Sequence, residues 1–312
     1  MAEVLGAICS IFSIILLGWV LRVRSIIDAP YLATANRIVF YIAIPAMMFT
    51  EMTKAPFGAN FHLGAALCLF FAAAMVAILS IAVSRSFDMP PRRRATFAQS
   101  SFHGNLGYLA FAIAYYVLGE GRFATTAILS SFLVVGQNVL SVWMLTIMKE
   151  GRKPEKKERW RMAGEIGLHV VRNPIILSVL ASIAYSSAGI PLPGPLGRTL
   201  DMLSAMALPT ALLLIGASLS FRSLRSMGRE VMLVALLKLI CLPLVGWTLM
   251  SAIGTPEGLK ISGIILLAAP TATVSYVMAM ELGGDPELAA NCVSVLTPLS
   301  ALTYLGLLWI LT

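Results

Sequence analysis

The chain has 312 residues, of which 58% are hydrophobic and only 12% charged, with a mean hydropathy of +0.86. Soluble domains carry about 25% charge, so neither a soluble enzyme nor a nucleic-acid reader with a clustered basic face fits, and the net charge of +8 must come from membrane topology. Cys9, Cys68, Cys241 and Cys292 sit in apolar runs with no CxxC pair, so no zinc site, disulfide framework or cofactor is indicated.

Long apolar runs predict ten spans, at about 3–21, 32–53, 61–84, 95–119, 123–148, 166–188, 197–220, 228–252, 259–281 and 287–311. The first has no basic region ahead of it and reads as a span, not a cleaved signal. Between the runs stand turn signals: Asp28-Ala29-Pro30, Lys54 to Gly58, Met89-Pro90-Pro91, Pro191 to Pro195 and Gly283-Gly284-Asp285-Pro286. No run shows the period-2 alternation of a barrel.

Basic residues then set the orientation, because cytoplasmic loops retain Lys and Arg. The loops after spans 1, 3, 5 and 7 hold Arg22, Arg24, Arg85, Arg92 to Arg94, Lys149, Arg152, Lys153, Lys156, Lys157, Arg159, Arg161, Arg222, Arg225 and Arg229. The opposite loops hold only Lys54, Arg122, Arg198 and Lys260. Both termini are therefore expected outside the cytoplasm, with 149–165 as a basic cytoplasmic connector between a first five-span repeat (1–148) and a second (166–312).

Self-similarity supports that division. Tyr41 to Ala46 around Pro45 matches Ala205 to Thr210 around Pro209, 164 positions later, and Leu118-Gly119 matches Leu282-Gly283 at the same offset. Five spans per copy puts the second copy into the membrane inverted, a symmetry that secondary transporters use.

Spans 4 and 9 carry the irregularities. Span 4 contains Gln99-Ser100-Ser101-Phe102-His103-Gly104-Asn105-Leu106-Gly107-Tyr108, and span 9 contains Ala269-Pro270-Thr271-Ala272-Thr273-Val274-Ser275. The offset carries Asn105 to 269 and Gly107 to 271, so both breaks are expected at one place in their halves. Pro270 cannot donate to the carbonyl four residues back, and Gly104 and Gly107 unwind at low steric cost. Two half-helix N-termini and the Asn105 amide can then face one point and hold a carboxylate. The expected substrate-binding residues are Gly104, Asn105, Gly107, Tyr108, Pro270, Thr271, Thr273 and Ser275, with Pro45 and Pro209 as hinge or scaffold positions. His103 either carries a proton or is structural; Lys238 either attracts an anion or pairs structurally; Gln137 and Asn138 are polar support between helices. No carboxylate cluster suggests a metal or sodium site.

On these residues the chain resembles the auxin efflux carrier family, which includes plant auxin carriers and prokaryotic malonate and malate permeases. The resemblance rests on Asn36 to Pro45, His103 to Tyr108, Lys238 to Pro243, Ala269 to Glu281 and Thr297-Pro298. It differs in lacking a proline shortly after Asn105 and an acidic residue early in span 3, and its short 149–165 connector is like that of prokaryotic members. The resemblance implies an all-α polytopic membrane protein of ten helices in two inverted five-helix repeats, with helices 4 and 9 broken and crossed as in bile acid symporters and sodium/proton antiporters. It further implies a scaffold of helices 1, 2, 6 and 7, through which a homodimer can form.

The expected function is secondary transport of a small organic anion, a mono- or dicarboxylate or an auxin-like acid, across the cytoplasmic membrane. Spans 3–5 and 8–10 would move as an elevator among membrane lipids, without cofactor or nucleic acid. A sodium- or proton-coupled carrier of the same architecture, or a membrane-embedded sensor, are the alternatives; an enzyme would need an acid/base, nucleophile or metal cluster, and none is seen.

Overall fold

The structure is a computed structural model and describes residues 2–53, 62–150, 164, 172–187, 192–221 and 228–311. The Lys54 to Gly58 turn, most of the 149–165 connector, and Arg222 and Arg225 lie outside the described residues. The described residues form helices and no strand: α1 (Ala2–Val23), α2 (Ala29–Thr53), α3 (Leu63–Ser86), α4 (Pro91–Phe102), α5 (Leu106–Leu118), α6 (Glu120–Glu150), α7 (Pro174–Ser187), α8 (Gly194–Ser218), α9 (Gly228–Ala252), α10 (Glu257–Leu267), α11 (Val274–Leu282) and α12 (Pro286–Leu311). Seven of them, α1, α2, α3, α6, α8, α9 and α12, are long and apolar enough to cross a membrane. The segments expected as spans 4 and 9 are each divided, into α4 and α5 and into α10 and α11.

Proline and short polar side chains set the helix starts. Asp28 accepts from the Tyr31 amide (2.8 Å) ahead of Pro30, and Asn173 Oδ1 accepts from Ile175 (2.9 Å) and Ile176 (3.3 Å) ahead of Pro174. Each satisfies orphan N–H groups of a first turn that proline already favours. Gly119 (φ 78°) and Gly283 (φ 77°) close α5 and α11 in a backbone region that disfavours a Cβ.

Two prolines leave another mark. Val39–Ala43 ahead of Pro45 and Leu237–Cys241 ahead of Pro243 are wound as π-helix. The proline ring crowds the carbonyl four residues back, and a wider turn relieves that contact. Pro209, the repeat counterpart of Pro45, stays inside the regular helix α8.

The chain divides into two compact units. One comprises Met1–His62, Gly107–Ser131 and His169–Ser218; the other comprises Leu63–Leu106, Phe132–Leu168 and Leu219–Thr312. In the first, α1 packs along α8, and α7 and α8 pack on α2. Gly18 lies against the Leu213 carbonyl and Gly216 against the Ile15 carbonyl, so closely that a Cβ at either would collide with backbone. Close approach through small residues is how helices gain contact energy in lipid, where apolar burial itself drives little. Its core is Ile11, Ile15, Val39, Ile44, Met47, Met48, Leu212 and Ile215.

The second unit packs α3 against α4 and α9, and α12 against α4, α9 and α11. Its apolar core includes Leu69, Val76, Phe97, Phe102, Leu266, Leu267, Leu296 and Tyr304, whose hydroxyl donates to the Ile265 carbonyl (3.0 Å). Buried polar groups gather here: Gln99, His103, Asn105, Gln137, Lys238, Thr271, Ser275, Asn291, Ser294 and Thr297. The first unit buries mainly Thr50, Glu51, Thr126, Ser130, Ser178 and Ser182.

Candidate functional site

The two breaks meet within the second unit. α4 ends at Phe102 and α10 at Leu267, and the extended residues beyond them pair antiparallel, Gly104 opposite Thr271. The Asn105 backbone N–H donates to the Pro270 carbonyl (2.8 Å), and the Ala272 backbone N–H donates to the His103 carbonyl (3.0 Å). These two bonds exchange under a local two-fold that relates each residue to one 167 positions away. The register expected from the flanking sequence was 164. The second half runs three residues longer from Pro209 to Thr271 than the first from Pro45 to Gly104, and the first regains them after the pairing, since Gly104 to Gly119 is three residues longer than Thr271 to Gly283, with α5 π-wound over Leu106–Ala110 and Ala114–Leu118.

Breaking a helix strands backbone groups, and each must find another partner. Phe102 would accept from Leu106 in a continuous helix, but Leu106 donates to Gly104 (2.9 Å). Gln137 of α6 replaces it: Nε2 donates to the Phe102 carbonyl and Oε1 accepts from the Gly104 amide, both at 3.1 Å. The Ser100 carbonyl takes the Thr271 hydroxyl (2.8 Å). On the other side the Leu267 carbonyl accepts from the Lys238 ammonium (2.9 Å), which approaches from the π-wound part of α9. A cation suits the negative end of α10.

Of the residues singled out from sequence, the structure gathers His103, Gly104, Asn105, Gln137, Lys238, Pro270 and Thr271 at this pairing. His103 is buried, stacks on Phe102, and shares a hydrogen bond through Nδ1 with Ser141 (2.9 Å), one helical turn beyond Gln137. The Asn105 side chain, 6% exposed, makes no hydrogen bond among the described residues. Thr273 opens α11 without capping it through its hydroxyl. Ser275 is fully buried with Oγ unpartnered among the described residues, as is Gln99 Oε1, while Gln99 Nε2 points to Met278 Sδ (3.4 Å).

Other sequence candidates lie elsewhere. Asn138 turns its amide back to the Val134 carbonyl of its own helix (2.9 Å) and does not support the break. Gly107 and Tyr108 belong to the first unit, where the Tyr108 hydroxyl donates to Asn36 Oδ1 (3.3 Å) and Gly107 lies near Ile175. The Pro45 carbonyl accepts from Ser178 Oγ (2.6 Å), and Pro209 is held in α8 of the same unit. Sequence reasoning missed Ser141, an ordinary serine in an apolar run, and gave no role to Ser100 of the polar run, whose backbone carbonyl holds Thr271. It also missed Arg93, which pairs with Asp285 (3.1 Å) and Glu230 (3.4 Å) and ties the starts of α4, α9 and α12.

A multi-pass helical chain whose interior polar groups surround two broken helices has the form of a membrane transporter, and the sequence comparisons agree. Residues 3–308 match the family described as membrane transport protein, and the chain belongs to this family, that of the auxin efflux carriers. It is a transporter and not an enzyme. Among curated relatives, a protein of Rhizobium meliloti (strain 1021) named "Putative malonate transporter" is 26% identical over 100% of this chain and 97% of its own length. An uncharacterized transporter of Methanothermobacter thermautotrophicus is 24% identical, covering 94% of this chain and 93% of its own length. Another, of Methanocaldococcus jannaschii, is 22% identical over 96% of each.

Proposed function

We propose that the protein carries a small organic anion across the cytoplasmic membrane, with malonate as the first substrate to test, and that the anion binds at the paired breaks. The observation that carries this reading is the Asn105 side-chain amide, which makes no hydrogen bond among the described residues and stands in a pairing whose backbone groups are held by one another, Gln137, Lys238 and Thr271. Side-chain N–H groups and the positive end of α11 suit a carboxylate.

In this reading the chain spans the membrane ten times in two inverted five-helix repeats, 1–148 and 166–312, with α4/α5 and α10/α11 as the crossed helices and both termini outside. The second unit, which holds most of the buried polar groups, moves as the elevator. The first, with helices 1, 2, 6 and 7 and backbone-close glycine packing between α1 and α8, is the scaffold. The contact-based division agrees with this assignment for spans 1, 2, 3, 6, 7 and 8–10, but it groups Gly107–Ser131, the second half of span 4 and the start of span 5, with the first unit.

Proteoliposomes reconstituted with the purified protein should accumulate labelled malonate, and both Asn105→Ala and Pro270→Ala should slow uptake severely. Uptake that is unchanged in both variants would remove the binding site from this place.

A further inference from the structure

Lys238 is fully buried, and no carboxylate among the described residues forms an ion pair with it. The ion pairs among the described residues join Arg93 to Glu230 and Asp285 and Lys260 to Glu257, none of them with Lys238. An ammonium has three donors, and the protein's described partner for them is the single Leu267 carbonyl. Burying a charge without a counter-charge is strongly unfavourable, so such a cation is retained where an anion arrives to complete it.

Its position says which anion. A Cβ on Gly104 would lie 3.0 Å from Nζ and 3.4 Å from Ala269, so the paired segment runs directly past the ammonium. Asn105, the next residue, carries the unpartnered amide. The ammonium donors that the described residues leave free suit a carboxylate, through charge and N–H together.

We infer that Lys238 is the fixed positive charge of the transport site: a carboxylate of the substrate pairs with its ammonium while Leu267 keeps the third-party carbonyl bond that aims it. Gln137 does the same structural work at the first break without charge, so the asymmetry between the two supports belongs to the ligand and not to the backbone. The inference rests on the anion-transport reading and specifies its site. It implies that uncharged analogues of the substrate, such as malonamide, are excluded.

The test is malonate titration of the purified protein by calorimetry, with melting temperature recorded for each variant. Lys238→Gln, which keeps an N–H donor but removes the charge, should weaken malonate binding about tenfold or more, whereas Lys238→Arg should retain most of it. Ala269→Asp places a resident carboxylate beside the ammonium and should abolish malonate binding with no loss of melting temperature, while its uncharged isostere Ala269→Asn should still bind; this pair decides the matter even where Lys238→Gln does not fold. Wild-type affinity in Lys238→Gln, or equal affinity in Ala269→Asp and Ala269→Asn, overturns the assignment. Failure of the unaltered protein to bind malonate, succinate or a monocarboxylate would instead overturn the anion-transport reading beneath it.

Discussion

The two breaks are built alike in backbone and differently in support. Beyond Phe102 the freed groups are taken by one neutral amide, Gln137, whose donor and acceptor ends are both used. Beyond Leu267 the freed carbonyl is taken by a cation, Lys238, which has donors to spare. A neutral amide that is fully engaged holds a shape and offers nothing more. A buried ammonium with one protein acceptor holds a shape and also leaves a charge that a ligand can meet. On the proposal made above, the first break is fixed architecture and the second is where charge recognition is concentrated.

The comparison makes graded predictions. Gln137→Leu should cause the largest loss of stability, about 2–5 kcal/mol, because the Gly104 amide and the Phe102 carbonyl would both be buried without partners. It would show as a sharp fall in melting temperature in detergent. Should Gln137→Leu instead melt like the wild type but lose malonate binding, the roles assigned to the two breaks would be reversed.

In the first unit, Gly216→Ala should cost about 1–3 kcal/mol, since its methyl would press into the Ile15 carbonyl and force α1 away from α8. Gly6→Ala, with nothing within 4 Å of its added methyl, is the matched control and should melt like the wild type. Malonate affinity should not follow the Gly216 change, which separates scaffold damage from site damage.

Thr271→Val should cost about 1 kcal/mol through the lost donor to the Ser100 carbonyl, and Thr271→Ser should recover it. The smallest effect expected is that of Ser141→Ala, roughly 0.5–1 kcal/mol from the bond to His103. A shift in the pH dependence of uptake in that variant, without a change at a fixed pH optimum's height, would mark His103 as a proton carrier and not as packing.

Much of this was legible in the sequence because helix breaking is a local property. Pro270 lacks its own N–H, and Gly104 lies in a polar run, so both interruptions were expected within a few residues of where they occur. Gly119 and Gly283 marked helix ends for the same local reason. What could not be read depends on rotation and partner choice. Gln137 and Asn138 are adjacent and chemically alike, yet on a helix they point about 100° apart, and only packing decides that Gln137 faces the break while Asn138 bonds back to Val134. The pairing register of 167 depends on three more residues between Pro209 and Thr271 than between Pro45 and Gly104, a difference that the flanking matches at 164 conceal. Pro45 and Pro209 match in sequence but differ in structure, because only the first has a π turn ahead of it. Lys238 was visible as an unusual charge, but that it lies against Gly104 and holds Leu267 is a tertiary fact.

The central claim, that the paired breaks bind an organic anion, is tested most directly at Asn105, whose side chain makes no hydrogen bond of its own among the described residues. Asn105→Asp is nearly isosteric and replaces an amide donor with a negative charge, so calorimetric titration with malonate should show no binding to Asn105→Asp, weak binding to Asn105→Ala, and normal binding to the unaltered protein. Melting temperatures of the three unliganded proteins should be close. Malonate binding to Asn105→Asp with wild-type affinity would contradict the account.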